Sequence, residues 1–165
     1  MEQQNYQTFE LNPHQYEQND VAQTLTDFSE AIRNGNIHTI MSFYEEEIRA
    51  FDMMPPLSIN NKLAYQKNWE ECFTNFFQFP VNYSYIEPKI EMSGNLAVVH
   101  SLIHMSGDSI HGENMDCWLR STMILKKHGV QWLISHEHNS TPLDPETGKG
   151  LMNLSPDGNN EAQMH

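Results

Sequence analysis

Nothing in this chain approaches the roughly 18 consecutive apolar residues that a membrane-spanning helix needs. The N-terminal stretch MEQQNYQTFELNPHQYEQ is rich in Gln and Asn and holds no apolar run, so it does not read as a secretory signal. The expectation is a soluble, cytoplasmic protein. Positive charge is scarce: 9 Lys and Arg stand against 22 Asp and Glu, a formal net charge of −13. A surface of that sign repels phosphate backbones and anionic lipid, which argues against nucleic acid and membranes as partners. Cysteine is limited to Cys72 and Cys117, both in apolar surroundings, and they read as reduced, buried thiols. The sequence also lacks Gly-x-Ser-x-Gly, a phosphate-binding Walker loop and a dinucleotide fingerprint. Acyl transfer, kinase and redox chemistry with standard cofactors are poor fits, and no cofactor is expected.

What is present suffices for one domain: 165 residues, 38% of them hydrophobic. Residues 1–18 read as a polar N-terminal arm. A helix is expected from Asn19 or Asp20, with Val21, Leu25, Phe28 and Ile32 at helical spacing and Gly35 at its end. A short second helix follows from Asn36, with Ile37, Ile40, Met41 and Tyr44 on its apolar side and Glu45, Glu46 and Glu47 closing it. Residues 48–52, IRAFD, are strand-like, and MMPPL then breaks regular structure. Asn60 or Asn61 caps a third helix, KLAYQKNWEECFTNFF, whose apolar stripe is read as Leu63, Trp69, Phe73, Phe76 and Phe77.

After Pro80 the pattern changes to alternation, giving strands near 81–92, 95–106, 114–127 and 130–141. Three helices followed by adjacent strands predict an α+β domain over 19–141, with helices on one face of a mostly antiparallel sheet. Residues 142–165, with several prolines and glycines, read as a C-terminal extension.

Strict alternation assigns the faces. In WLISHEHNS, Trp132, Ile134, His136 and His138 share one side, and Leu133, Ser135 and Glu137 the other. On the preceding strand Trp118, Arg120, Thr122 and Ile124 share a side, as do His100 and His104 on the strand before. If helices and sheet enclose a pocket, Arg120, His136, His138 and His100 are the polar candidates to line it. An arginine on a core-facing stripe needs a counter-charge such as Asp52, Asp116 or Glu137, or a bound anion. The two imidazoles admit three readings: pocket acids or bases, hydrogen-bonded wall residues, or metal ligands together with His100 or His104. No metal is expected, because no acidic partner has matching spacing.

FSEAIRNGNIHTIMSFYEEEIRAFD resembles the helix–helix–strand opening of the SnoaL-like and ketosteroid-isomerase-like branch of the nuclear transport factor 2-like superfamily. GNLAVVHS, DCWLRST and VQWLISHEHNSTPLDPETGK are similar to its second half, over roughly residues 19–150 in all. The resemblance implies a cone-shaped fold, with three helices on a strongly bent sheet and dimers formed through the outer sheet face. It casts Leu119, Ser121, Met123, Leu133 and Ser135 as that subunit contact. In the isomerases a proton-abstracting aspartate closes the strand after the second helix, and Asp52 matches it. The position of their tyrosine oxyanion donor is Phe28, which cannot donate a hydrogen bond. The resemblance therefore implies a small-molecule pocket rather than steroid isomerisation as such. Expected roles are Asp52 as base, Arg120 and His136 or His138 as oxyanion stabilisers, and Trp69, His100, Trp118, Thr122 and Trp132 as ligand-binding wall. The ligand would be a small organic molecule, a carboxylate or a ketone, and a second copy of the chain is the expected protein partner.

Overall fold

A computed structural model describes residues 13–157, with side chains from residue 15. Helices α1 (Pro13–Arg33), α2 (Ile37–Ser42) and α3 (Lys62–Phe76) accompany strands β1 (Tyr44–Phe51), β2 (Asn82–Ser93), β3 (Leu96–Asp108), β4 (Asn114–His128) and β5 (Gln131–Ser140). The strands form one curved open sheet in the order β1-β5-β4-β3-β2, antiparallel except for the parallel β1–β5 pair. The α+β cone expected from the sequence is the fold observed.

Helix α1 begins at Pro13, ahead of Asn19 and Asp20. Proline suits a first helical position, where its missing N–H costs nothing. Lys127 also holds the early turns by pairing with Glu17 at 2.9 Å while lying over the Trp132 ring. Residues 13–18 of the expected arm are thus helical, and residues 1–12 lie outside the described residues. Val21, Leu25, Phe28 and Ile32 are buried as their spacing predicted. Gly35, at φ +65°, ends the helix: its N–H donates to the Ile32 carbonyl and the Asn36 N–H to that of Ala31. Asn36 then caps α2 by accepting from the Thr39 N–H at 3.1 Å.

Two local expectations are corrected. Glu45, Glu46 and Glu47 lie in β1 rather than closing α2, which stops at Ser42, while Tyr44 is buried as the first residue of the strand. Pairing with β5 takes these residues into the sheet, an outcome set by long-range contacts. On α3, capped by Asn61, Leu63 is exposed and Tyr65 takes the inward place. The inward line runs from buried Tyr65 through half-buried Trp69 and Phe73 to buried Phe77, each four residues from the last, with neighbouring rings 5.3–6.0 Å apart.

The core lies between the helices and one sheet face: Ala97, Val99 and Ile103 of β3 and Leu119, Met123 and Leu125 of β4 are buried against it. Residues 141–157 fold back on the domain. The Trp118 N–H donates to the Met152 carbonyl at 2.6 Å, covering the part of β4 that runs past the end of β5.

Candidate functional site

A β-bulge decides which side chains reach the interior. On β4, Ile124 and Leu125 are consecutive, but their partners on β5 are His136 and Ile134. Ser135 is the extra residue, and its hydroxyl donates to the Ile124 carbonyl at 3.2 Å. One inserted residue exchanges the two faces beyond it. Trp132 and Ile134 point to the core before the bulge; Glu137 and Asn139 do so after it, and all four are buried.

The histidines therefore face the other way. His138 is exposed, and the His136 Nδ1 lies 2.7 Å from the Arg49 carbonyl on neighbouring β1. Both rings sit edge-on to Phe51, at centroid distances of 5.1 and 5.7 Å. Arg120 and Thr122 are exposed on the same outer face, and Arg120 makes no ion pair among the described residues. His104, on that face, stacks on Trp118 at 4.4 Å and pairs with Asp116 at 2.9 Å. His100 and Trp118 border a shallow outer recess with Leu102 and Pro156. The expected convergence of Arg120, His136 and His138 with Asp52 is thus overturned: three lie outside and the aspartate inside. The expected dimer stripe is corrected too, since Leu119, Ser121 and Met123 are buried inward. Among the described residues, no three His, Cys, Asp or Glu side chains are grouped to hold a metal ion.

Inside the cone is a cavity of about 190 Å³. α3 forms one wall with Trp69, Cys72, Phe73 and Phe76, and β4 the opposite wall with Met115, Cys117 and Leu119. Five methionine side chains line it, those of residues 53, 54, 105, 115 and 152. Of the nine residues expected in the site, Asp52 and Trp69 line this cavity; Trp132 is buried elsewhere in the core.

Asp52 follows β1, on the inward side shared by Ala50. Its Oδ1 accepts from the Met54 N–H at 3.3 Å and its Oδ2 from the Asn68 side chain at 3.4 Å. Burial raises its carboxyl above the ordinary aspartate value; those hydrogen bonds and the Tyr65 hydroxyl oppose the rise without cancelling it. Behind it lies a second acid that the alternation rule placed outside. The Glu137 Oε2 accepts from the Tyr44 hydroxyl at 2.6 Å and the Tyr65 hydroxyl at 3.2 Å, and its Oε1 from the Asn139 Nδ2 at 2.9 Å. Burial also raises this carboxyl, and the negative charge of Asp52 adds to the rise. The same burial pushes the Cys72 thiol up to about 12, so it is no thiolate at neutral pH.

Tyr65 thus stands between two carboxyl groups, interacting with both. A hydroxyl can accept a proton from one side while releasing its own on the other, so the trio can pass a proton inward from the cavity. Tyr65 and Asn68 were within reach of sequence reasoning, because they continue the helical spacing of Trp69 and Cys72. Glu137 and Asn139 were not, because the bulge has no signature in WLISHEHNS.

A bent sheet closed by three helices around an apolar chamber with a buried acid is the nuclear transport factor 2-like architecture. The chain belongs to the SnoaL-like family within it: residues 21–144 match the model of the SnoaL-like domain. No curated protein sequence matches the chain. Among solved structures, a protein of unknown function from Pseudomonas putida KT2440, described as NTF2-like, is 29% identical with a TM-score of 0.77, over 86% of this chain and 98% of that one. A ketosteroid isomerase-like protein from Erwinia carotovora atroseptica SCRI1043 shares the fold at TM-score 0.63 and 14% identity, over 74% and 93% of the two chains. The association domain of C. elegans CaMKII does so at 0.61 and 14%, over 77% and 97%.

Proposed function

We propose that the protein binds a small organic molecule in the cone and exchanges a proton with it through Asp52, as a cofactor-independent isomerase, dehydratase or cyclase acting next to a carbonyl. The observation that carries this reading is a single half-buried carboxyl group at the polar end of an otherwise apolar chamber. A carboxylate whose conjugate acid is weakened by burial is a stronger base than an exposed one. Tyr65 and Glu137 give the captured proton a route away from the reacting carbon. Asn68 and the Trp69 Nε1–H, which is buried and has no partner among the described residues, are the candidate donors to a developing oxyanion. They replace Arg120, His136 and His138 in that role. The likeness to a ketosteroid isomerase-like protein accords with this chemistry.

The test is deuterium exchange at carbons beside the carbonyl in a panel of small ketones, followed by NMR in heavy water. Asp52→Asn should slow exchange by about a thousandfold, within the usual worth of a positioned base. Equal rates in the two proteins would refute the assignment.

A second reading belongs to the outer face, where Leu102, Ile124 and the Trp118–His104 stack are only half-buried. We propose this face as the contact of a homodimer. Sedimentation should then show a dimer, and Leu102→Glu should yield a monomer with the cavity intact.

A further inference from the structure

We infer that the cavity takes an amine, held as its ammonium cation on a small aromatic or apolar body. This rests on reading the cavity as a ligand site and names the chemical class of its occupant.

The first argument is charge. Asp52 and Glu137 bring two carboxyl groups to this part of the core, and among the described residues no Lys, Arg or His lines the cavity. Among the described residues neither acid joins an ion pair. A buried carboxylate without a cation is costly, and a bound ammonium offsets that cost. An anionic ligand would meet only negative charge, in a chain of net charge −13.

The second argument is an excess of acceptors. Glu137 is satisfied by three donors, one of them the Asn139 Nδ2. That bond fixes the amide, leaving Asn139 Oδ1 as an acceptor with no partner among the described residues, on a cavity-lining residue only 9% exposed. Besides its interaction with the Tyr65 hydroxyl, Asp52 receives two long bonds, at 3.3 and 3.4 Å. An ammonium group offers three donors and no acceptor, which matches this inventory. Trp69 Nε1–H is unpartnered as well among the described residues.

The third argument is the wall. Trp69, Phe73, Phe76 and Phe77 present rings to the cavity, and aromatic faces attract cations most where water is excluded. At about 190 Å³ the space suits one ring with a short arm, given that an apolar cavity of ~150 Å³ accepts benzene.

Three probes of one shape separate the possibilities: 2-phenylethylamine, 2-phenylethanol and phenylacetate, each followed by thermal unfolding and calorimetry near neutral pH. The amine should raise the melting temperature and bind about tenfold tighter than the alcohol, and phenylacetate should give no shift. Asp52→Asn, with its fold checked by circular dichroism, should lose the preference for the amine and keep the affinity for the alcohol. Alcohol binding as tight as the amine, or a preference that survives Asp52→Asn, overturns the amine and leaves the cavity reading standing. No shift with any of the three overturns both.

Discussion

Glu137 shows how a single side chain can be costly and well held together. Three donors converge on its carboxyl group, and the two tyrosines among them are themselves buried. Glu137→Ala would strand those hydroxyls, at a cost of about 3 kcal/mol or more in urea denaturation. Glu137→Gln should behave differently. Its carbonyl can keep both tyrosine bonds, and a rotated Asn139 amide would offer its unpartnered Oδ1 to the new N–H₂. The glutamine variant should therefore unfold at a urea concentration no lower than the native protein at neutral pH. Phe28 makes the complementary point. Its ring packs edge-on against Phe43, Tyr44 and Trp69, so the hydroxyl missing there is a loss of chemistry and not of packing.

The strand β5 depends on its bulge. Removing Ser135 would take out the extra residue and leave a regular ladder in which Ile134 faces in, His136 out and Glu137 in, so the faces are kept. That deletion should therefore keep cooperative unfolding and the Glu137 network, at a cost of no more than about 2 kcal/mol in urea denaturation. A deletant that loses cooperative unfolding would show that β5 needs the bulge for more than its register. The α1–α2 corner is similarly particular. Gly35 has a positive φ, and a Cβ there would lie 2.9 Å from the Phe79 ring. Gly35→Ala should destabilise by about 1–2 kcal/mol, measured as a lower melting temperature. A proline-rich turn and the helix cap Asn61 then set the angle at which Tyr65 and Trp69 face the sheet.

Acidity couples the site to the stability of the whole chain. Asp52 and Glu137 both have carboxyl groups raised in the folded state. The folded protein therefore holds their protons more tightly than the unfolded chain does. Stability is fullest below the ordinary carboxylate range and declines as pH rises from that range through the raised folded values. Urea midpoints should fall across this window, and Glu137→Gln should flatten the slope. A native protein that grows steadily more stable over the same window would contradict the raised values. The C-terminal segment adds a second long-range dependence. It runs along β4 with Met152 against the cavity and Pro156 on the outer recess, so it borders both sides of the sheet. Ending the chain at Ser140 should weaken binding of apolar probes in the cavity, because one wall and one backbone bond to Trp118 are removed.

Helical period, capping residues, proline breaks and alternation were legible along the chain, and they led to three helices, a mostly antiparallel sheet and the inward place of Asp52. Those features are local: each depends on the chemistry of a few neighbouring residues and on solvent. The side of the sheet to which Glu137, His136 and His138 turn was not local. It depends on how β5 aligns with β4 and on where one residue is squeezed out of the ladder, and that choice is made by the packing of both faces at once. Burial works the same way. Whether a carboxyl group is an ordinary surface acid or one that holds its proton more tightly is decided by what the fold places around it, and no neighbour in sequence carries that information.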